Sequence, residues 1–188
     1  MLNSHLIATV SQRVLSFLAK FSDKEFYERQ IARKIGIGYG SANRALNELH
    51  STGAVKRRQE GKMYFYFVDP SDATIMEFKK LTNLTLIEPL IEELKKMCSR
   101  IVLYGSCAQG IDTSESDLDL FIVSSNEDRV ADTISKFSFP PGFEDIHIQP
   151  VIKSPVELLE MGDSDQAFIQ EVDRGIPLWE KVANERRV

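Results

Sequence analysis

The sequence predicts an α+β protein with a helical N-terminal part that ends in a β-hairpin and a mixed α/β C-terminal part. The length of 188 residues allows one domain or two small ones. Apolar residues recur at helical spacing in the first third of the chain, and the aromatic, strand-prone run Met63–Val68 follows them. From Ile101 onward, apolar strands alternate with helices, which is typical of a mixed sheet.

The composition excludes several classes of protein. With 43% hydrophobic and 27% charged residues it is that of an ordinary globular chain. No apolar run approaches the roughly 18–20 residues of a membrane span, and residues 1–21 lack the pattern of a secretory signal. Cys98 and Cys107 are too few for a disulfide framework and lack metal-ligand spacing. We therefore expect a cytoplasmic protein that has no membrane partner.

The net charge of −5 is unevenly distributed along the chain. The segment Arg29–Lys62 contains 8 basic and 2 acidic residues, whereas Arg100–Val188 contains 8 basic and 17 acidic residues. Such asymmetry indicates two functions in one chain. The basic segment favours contact with nucleic acid, and the carboxylates of the acidic segment are ligands suited to a metal ion.

Three helices are predicted in the N-terminal part. Helical spacing of apolar residues predicts a first helix over Ser4–Lys20 and a second over Phe26–Ile35. Glycines then interrupt the chain, and Ser41 is predicted to cap a third helix, because serine side chains accept hydrogen bonds from the first helical N–H groups. Gly53 is predicted to end that helix.

Strands at Ala54–Arg58 and Met63–Val68 are predicted to form a hairpin around the turn at Glu60-Gly61. Three helices followed by a hairpin, with a glycine-rich turn before the third helix, resemble the winged helix-turn-helix superfamily. The segments with this resemblance are Ile31–Gly36, Leu46–Leu49 and Gly53–Val55. The resemblance implies an N-terminal winged helix-turn-helix domain over residues 1–70.

The resemblance also implies contacts with double-stranded DNA. In helix-turn-helix proteins the second helix of the motif enters the major groove, where Asn pairs with adenine and Arg with guanine, while basic residues around the wing contact phosphates. The residues expected to contact DNA are Tyr39, Ser41, Asn43, Arg44, Asn47, Lys56, Arg57, Arg58 and Lys62. A homodimer would match paired half-sites. A basic face used only for protein contacts is the alternative.

The remaining residues are divided into a connection and a second domain. Ser71–Ser99 is predicted to be helical, with Pro89 either kinking a helix or starting a second one. These connecting helices, 71–99, precede a domain at 100–188. The strands predicted there are Ile101–Tyr104, Leu118–Val123 and Ile146–Ile152, and the helices are Glu127–Phe137, Val156–Met161 and Gln166–Glu171.

The most informative motif follows the first strand of that domain. Gly105-Ser106 is separated by ten residues from Asp117-Leu118-Asp119, at the start of the next strand. A glycine lets the backbone approach a phosphate closely, and nearby N–H groups together with the Ser106 hydroxyl can bind its oxygens. Asp117 and Asp119 point to one face of the strand. Mg²⁺ typically binds to one or two carboxylates and to substrate phosphates, so the motif predicts a metal and nucleotide site.

This motif resembles the signature of the DNA polymerase β-like nucleotidyltransferase superfamily, in its minimal nucleotidyltransferase branch. The resemblance implies transfer of a nucleoside monophosphate from an NTP, for which we expect ATP, to a macromolecular acceptor. It also implies Asp117 and Asp119 as catalytic residues and ligands of Mg²⁺ or Mn²⁺, and Gly105 and Ser106 as the phosphate-binding residues. In relatives the acceptor can be a tyrosine of a toxin, so a protein acceptor or toxin partner is a further expectation.

The sequence departs from this superfamily at two places. Cys107 and Gln109 replace basic residues that often follow Gly-Ser, and the strand predicted to supply a third carboxylate has Gln149 at that position. An amide neither accepts a proton at neutral pH nor replaces the missing charge. Two functions therefore stay open: an active nucleotidyltransferase, or a DNA-binding transcriptional regulator whose transferase domain is weak or inactive and senses nucleotide or mediates assembly. Candidates to replace the carboxylate are Glu144, Asp145 and His147.

Overall fold

A computed structural model describes residues 3–162 and 165–181. The chain forms two compact units, and each unit is assembled from segments that are not contiguous in the sequence. The first unit comprises the chain up to Ile87 and two later segments, Gln109–Ser116 and Ser138–Ile146. The second unit comprises Glu88–Ala108, Asp117–Phe137 and the chain from His147 onward. The predicted α+β class is confirmed, and a helical part with a small sheet precedes a mixed sheet.

The N-terminal helices are α1 (Asn3–Leu6), α2 (Val10–Lys20), α3 (Glu28–Lys34) and α4 (Tyr39–Ser51). The prediction of one helix over Ser4–Lys20 is wrong because Thr9 has extended backbone and caps α2. The Thr9 hydroxyl accepts a hydrogen bond from the Gln12 N–H, and the Gln12 side chain accepts one from the Thr9 N–H. This capping box starts a new helix at Val10.

Both other predicted helix starts are also corrected. Phe26 and Tyr27 form the short strand β1 (Phe26–Tyr27), which leaves Glu28 as the first residue of α3. The helix α4 begins at Tyr39, so Ser41 is not its cap; the Gly38 carbonyl accepts hydrogen bonds from the N–H groups of Ser41 and Ala42. Its C-terminal end agrees with the prediction, since Gly53 follows it with φ of +81°.

The small sheet has the strand order β1-β3-β2, with β2 at Lys56–Glu60 and β3 at Met63–Phe67, and all pairs are antiparallel. Gly61 has φ of +61° in the turn between β2 and β3, a conformation that glycine adopts without strain. The buried apolar residues of α3, α4 and the residue after α3 include Ile31, Ile35, Ala42, Ala45, Leu46 and Leu49. Three helices that pack around a core next to a β-wing form the predicted winged helix-turn-helix.

A long helix, α5 (Ala73–Leu94), follows the wing. Pro89 lies inside this helix, which continues through it rather than starting a second helix. The side chains of Ile87, Leu90, Ile91 and Leu94 are buried. Among the described residues, no helix combines the length and the apolar character that a membrane crossing requires.

The second sheet is mixed and has the strand order β6 (Ile148–Lys153), β5 (Leu118–Val123), β4 (Arg100–Tyr104) and β7 (Ile176–Glu180). Strand β5 runs antiparallel to β4 and parallel to β6. One face of the sheet packs against Leu158, Phe168 and Val172 from two C-terminal helices. The elements are β4 (Arg100–Tyr104), α6 (Gly105–Gln109), β5 (Leu118–Val123), α7 (Glu127–Ser135), β6 (Ile148–Lys153), α8 (Pro155–Glu160), α9 (Gln166–Asp173) and β7 (Ile176–Glu180).

Strand β7 was not predicted. It pairs with β4, with Trp179 opposite Ile101, and the Trp179 indole N–H donates a hydrogen bond to the Cys98 carbonyl at 3.3 Å. The sequence Ile-Pro-Leu-Trp-Glu contains a proline, which usually argues against a strand; here β7 is an edge strand, where a missing N–H is tolerated.

Candidate functional site

Asp119 lies in the middle of a row of three residues across the second sheet. It is paired with Tyr104 on the antiparallel strand β4 and with Gln149 on the parallel strand β6. Residues paired across neighbouring strands point to the same face of a sheet. The three side chains therefore emerge together, and Phe121 continues this face into the core.

The bend after β4 touches the Asp119 carboxylate directly. Gly105 has φ of +69°, and a Cβ placed on it would lie 2.5 Å from Asp119 Oδ2. Any other residue would therefore be strained in its backbone and would also displace the carboxylate. The two halves of the sequence motif, Gly-Ser and Asp-x-Asp, meet at this contact.

Asp117 is fixed from a second direction by the short helix α6. The thiol of Cys107 donates a hydrogen bond to the Asp117 carbonyl with an Sγ–O distance of 3.3 Å. On the other side, the Leu118 N–H donates to the His147 carbonyl at 2.9 Å. Because Leu118 pairs with Ile148, the parallel register sets His147 level with Asp117. Asp117, Asp119, Gly105 and Ser106 are each half-buried.

The electrostatics of this row favour protonation of Asp119. Its burial raises the pKa of the carboxyl above the ordinary value, and the negative charges of Asp117 and Glu171 raise it further. The pKa of Tyr104 is also raised, first by burial and then by the charges of Asp119 and Glu171. Bound cations would reverse the effect on Asp119, because they favour the charged carboxylate.

Glu171 is the acidic neighbour that the sequence reasoning missed. It lies on α9, one turn after Phe168, whose ring centroid is 5.6 Å from that of Tyr104. Val172 beside it is buried in the core of the sheet. The apolar spacing of Phe168 and Val172 was the available signal, because residues three and four apart share one face of a helix.

The carboxylates of Asp117 and Asp119 are ligands suited to a metal ion that is also bound by the phosphates of a nucleotide. Within residues 3–162 and 165–181, no three acidic, histidine or cysteine side chains converge as a metal-binding group. The motif instead offers Asp117 and Asp119. Mg²⁺ bound through one or two carboxylates usually completes its octahedron with water and substrate phosphates. Two carboxylates therefore fit an NTP-bound cation.

The candidate replacements for a third carboxylate lie in different places. Glu144 and Asp145 belong to the first unit, where Glu144 accepts a hydrogen bond from the Gly142 N–H at 2.8 Å and Asp145 lies 3.7 Å from Lys34 Nζ. His147 belongs to the second unit and is exposed. As the register predicted, the position next to Asp119 on β6 is occupied by the amide of Gln149.

The exposed side of α4 presents the residues expected to contact bases. Asn43 is half-buried and accepts a hydrogen bond from the Asn47 amide at 3.1 Å. The Tyr39 hydroxyl donates to Glu28 at 3.3 Å. The exposed residues of this set are Tyr39, Ser41, Arg44 and Asn47.

The basic residues of the wing do not form a single cationic cluster. Lys56 is paired with Asp69 at 2.8 Å, and Arg58 is paired with both Glu25 and Glu60. Arg57 lies over the ring of Tyr64 instead, 4.4 Å from its centroid. This division follows from the alternation of side chains along β2. Lys62 is exposed at the turn of the hairpin.

The fold thus defines a two-part protein, a winged helix-turn-helix domain followed by a mixed-sheet domain with paired aspartates beside a Gly-Ser bend. A family model described as Polymerase beta, Nucleotidyltransferase matches residues 87–184, just over half of the 188 residues. The chain belongs to this nucleotidyltransferase family. A second model, described as Sugar-specific transcriptional regulator TrmB, matches residues 13–71, so the N-terminal domain is a winged-helix DNA-binding domain of the TrmB type. No curated protein and no solved structure matches the chain.

Proposed function

We propose that this protein is a DNA-binding transcriptional regulator whose nucleotidyltransferase domain binds an NTP with Mg²⁺ or Mn²⁺ and has little or no transferase activity. The observation that supports this choice is the pairing of Asp119 with Gln149. A third carboxylate at that position would add charge and a proton acceptor, and an amide adds neither. The nucleotide then acts as a signal rather than as a substrate.

The residues of the second unit have separate tasks in this proposal. Asp117 and Asp119 hold the cation, which neutralises phosphate charge when bound. Gly105 leaves room for the Asp119 carboxylate, and the Ser106 hydroxyl donates to a phosphate oxygen. ATP is the nucleotide we expect first.

Nucleotide binding is tested by calorimetry with ATP and Mg²⁺. We expect wild type to bind and Asp119→Asn to lose at least tenfold in affinity, because the variant lacks one of two charged ligands. Asp132→Asn is the matched control, since Asp132 is exposed on α7 and pairs only with Lys136 among the ion pairs of the described residues. Equal affinity of the Asp119→Asn variant and wild type would contradict the proposed site.

DNA binding is tested by titration of a mixed-sequence duplex at several salt concentrations. Affinity should fall steeply with salt, because bound cations are released from the phosphates. The double substitution Arg57→Ala/Arg58→Ala should weaken binding, whereas Lys96→Ala/Lys136→Ala in the second unit should not. If the affinity for the duplex changes neither with salt concentration nor in the double arginine variant, the proposed DNA contact is contradicted.

Gel filtration of the protein with the duplex tests whether the protein binds as a homodimer.

Nucleotidyl transfer to a macromolecular acceptor is the second candidate. It is favoured by the position of His147, which lies level with Asp117 and has an imidazole able to accept a proton. An acceptor hydroxyl would bond to the α-phosphorus and give its proton to His147. The bond from that phosphorus to the oxygen bridging to the β-phosphorus would break, and pyrophosphate would leave with the bonding electrons.

The transfer reaction is tested with labelled ATP and Mg²⁺, followed by intact-mass analysis of the protein and of any added acceptor, including a candidate toxin. A mass gain of one nucleoside monophosphate that disappears in Asp117→Ala and in His147→Gln would favour the enzyme. Unlabelled protein together with tight MgATP binding would favour the regulator.

A further inference from the structure

A cavity of about 560 Å³ lies beside the wing, within the first unit. Its volume is in the range of about 300–1,000 Å³ that is typical of small-ligand sites. The lining residues come from the junction of β1 with α3, from the start of α4 and from the wing, and they include Tyr27, Glu28, Arg29, Tyr39, Lys62 and Tyr64. The cavity thus combines aromatic rings, two cations and one carboxylate.

The short strand β1 leaves part of β3 uncovered. It pairs with β3 only at Phe65 and Tyr66, whereas β2 pairs with β3 along its whole length. Beyond β1 the chain turns into α3, whose first residue is Glu28. Among the described residues, Met63 and Tyr64 therefore have a strand partner on one side only, and both line the cavity.

Two of the tyrosine rings are held by arginines. The Arg57 guanidinium lies 4.4 Å from the centroid of the Tyr64 ring, and that of Arg29 lies 5.5 Å from the centroid of the Tyr39 ring. An arginine over a ring orients it and covers one of its faces. Tyr39 and Tyr64 are still 52% and 39% exposed, so ring surface remains available to a planar ligand.

The Glu28 carboxylate accepts fewer hydrogen bonds than it has capacity for. Among the described residues, its Oε1 atom is buried without a hydrogen-bond partner. Its Oε2 atom accepts from the Tyr39 hydroxyl at 3.3 Å, which is longer than the about 2.5–3.0 Å usual for O–H···O bonds. A carboxylate in this condition gains from a better donor, so a ligand with an amino group that replaces the long Tyr39 bond would be bound more tightly.

An unpaired nucleotide matches all three kinds of lining group. Its base stacks on tyrosine rings, the exocyclic amino group of cytosine, adenine or guanine donates to a carboxylate, and its phosphates attract cations. A cationic ligand would meet Arg29 and Lys62 with like charge, and a phosphate without a base would be repelled by Glu28 and leave the rings unused. A base within a duplex is stacked and its amino group is already bonded, so the base must be unpaired.

We propose that this cavity binds an unpaired nucleotide of a DNA strand and prefers a base with an exocyclic amino group. Glu28 determines the preference by accepting a hydrogen bond from that amino group. Tyr39 and Tyr64 stack on the base, and Arg29 and Lys62 contact the adjacent phosphates. The inference rests on the DNA binding of the proposed function, and it adds a second mode of binding in which the wing recognises opened or single-stranded DNA.

The preference is measured by titration of wild type with oligo(dC) and oligo(dT) strands of about 12 nucleotides, which is within the usual size of a single-strand site. The titrations are done at mildly alkaline pH, which keeps oligo(dC) single-stranded. Both bases are pyrimidines, and thymine has an oxygen in place of the cytosine amino group. We expect oligo(dC) to bind roughly tenfold more tightly, because a hydrogen bond to a charged acceptor typically contributes at least that factor.

Two variants test the assigned residues. Glu28→Gln should bring the ratio of the two affinities towards one, because an amide both accepts and donates hydrogen bonds. Since the ratio is formed within one variant, any change in the folded fraction cancels. Tyr64→Leu should weaken the binding of both strands by roughly fivefold or more, because it removes a stacking ring. Glu77→Gln is the matched control and should keep both affinities, since Glu77 is exposed on α5, pairs with Lys80 and lies outside the lining residues.

The outcomes separate this inference from the proposed function. Equal affinity of wild type for the two strands, an unchanged ratio in Glu28→Gln or full affinity in Tyr64→Leu would overturn the inference, while binding of the mixed-sequence duplex keeps the proposed function. Deoxycytidine monophosphate that binds as tightly as oligo(dC) would make a free nucleotide the ligand and would also overturn it. If wild type binds neither single strands nor the duplex, both are overturned.

Discussion

Asp119 and Gln149 are directly paired on the parallel strands β5 and β6, and this pair determines the chemistry available at the site. The two side chains emerge on one face of the sheet, next to the Gly105 bend. In the proposed site, the Asp-x-Asp motif alone supplies the carboxylates for the cation, because Gln149 is an amide. The neutral Gln149 side chain means that β6 contributes no negative charge next to Asp119.

Substitution Gln149→Glu should restore that charge. We expect affinity for Mn²⁺ to rise about tenfold, equivalent to about 1.4 kcal/mol, because a third carboxylate faces the same cation. Calorimetry with Mn²⁺ in the absence of nucleotide measures the effect. Gln59→Glu in the wing is the isosteric control and should leave Mn²⁺ affinity unchanged. Weaker Mn²⁺ binding by Gln149→Glu would mean that this position does not face the cation.

Substitution Gly105→Ala should both destabilise the fold and abolish nucleotide binding. The left-handed backbone costs about 1–2 kcal/mol for a residue with a Cβ, and the new methyl group would also displace Asp119. Gly61→Ala is a matched control, because Gly61 has φ of +61° and no atom within 4 Å of the added Cβ. Urea unfolding should show the larger loss for Gly105→Ala, and MgATP titration should show loss of binding only there. Equal losses for the two variants would contradict the close contact with Asp119.

The motif was visible in the sequence because it is local. Gly105-Ser106 follows the end of β4 and Asp117-x-Asp119 lies at the start of β5, and strand alternation predicts that both aspartates share one face. The register of β6 was also readable, since the apolar alternation around Gln149 allows only one face to be buried. The acidic neighbour Glu171 was not found, because α9 reaches the sheet only through tertiary packing.

The buried pair of Lys20 and Asp112 and the strand β1 were beyond sequence reasoning for the same reason, whereas the start of α2 is set by the local capping box of Thr9 and Gln12. Asp112 reads as an ordinary loop acid until Lys20 and α5 enclose it, and the two are 92 residues apart. The strand β1 depends on pairing with β3, which overrides the helical spacing that began at Phe26. Distant contacts therefore determine the type of β1 as well as the start of α3.

The raised pKa of Asp119 gives a pH dependence of known sign. Burial is the largest cause, followed by the charges of Asp117 and Glu171. Between the ordinary value of 3.8 and the folded pKa, the folded state binds more protons than the unfolded state. The contribution of this carboxyl to the free energy of unfolding therefore falls as pH rises through that window.

Glu171→Gln should lower the pKa of Asp119, since it removes one of the two neighbouring charges. Carboxyl NMR titration of the metal-free protein measures the pKa, and Glu180→Gln, on the edge strand β7, is the control that should leave it unchanged. An Asp119 pKa that stays the same in Glu171→Gln would mean that the two carboxylates do not interact.

The wing lysines should contribute unequally to duplex binding. Lys62 at the hairpin turn is exposed, whereas Lys56 is 2.8 Å from the Asp69 carboxylate. We expect Lys62→Gln to reduce the slope of log affinity against log salt by about 1, the value for one phosphate contact. Lys56→Gln removes the same charge and should change the slope less, because Asp69 already neutralises it. A larger change for Lys56→Gln would place the DNA backbone along the base of the wing.

The buried ion pair predicts a large and asymmetric effect on stability. Asp112→Ala leaves the Lys20 ammonium buried without its carboxylate, and removing one partner of such a pair costs about 3–5 kcal/mol. The double variant Lys20→Met/Asp112→Leu removes both charges and should recover part of that loss, because apolar side chains avoid the desolvation penalty while the buried Asn83 amide loses its hydrogen bonds to both residues. Urea unfolding followed by circular dichroism measures both, with Asp145→Ala as the control at the exposed Lys34 pair, where we expect less than about 1 kcal/mol. A loss for Asp112→Ala as small as that of the control would mean that Asp112 is not buried with Lys20.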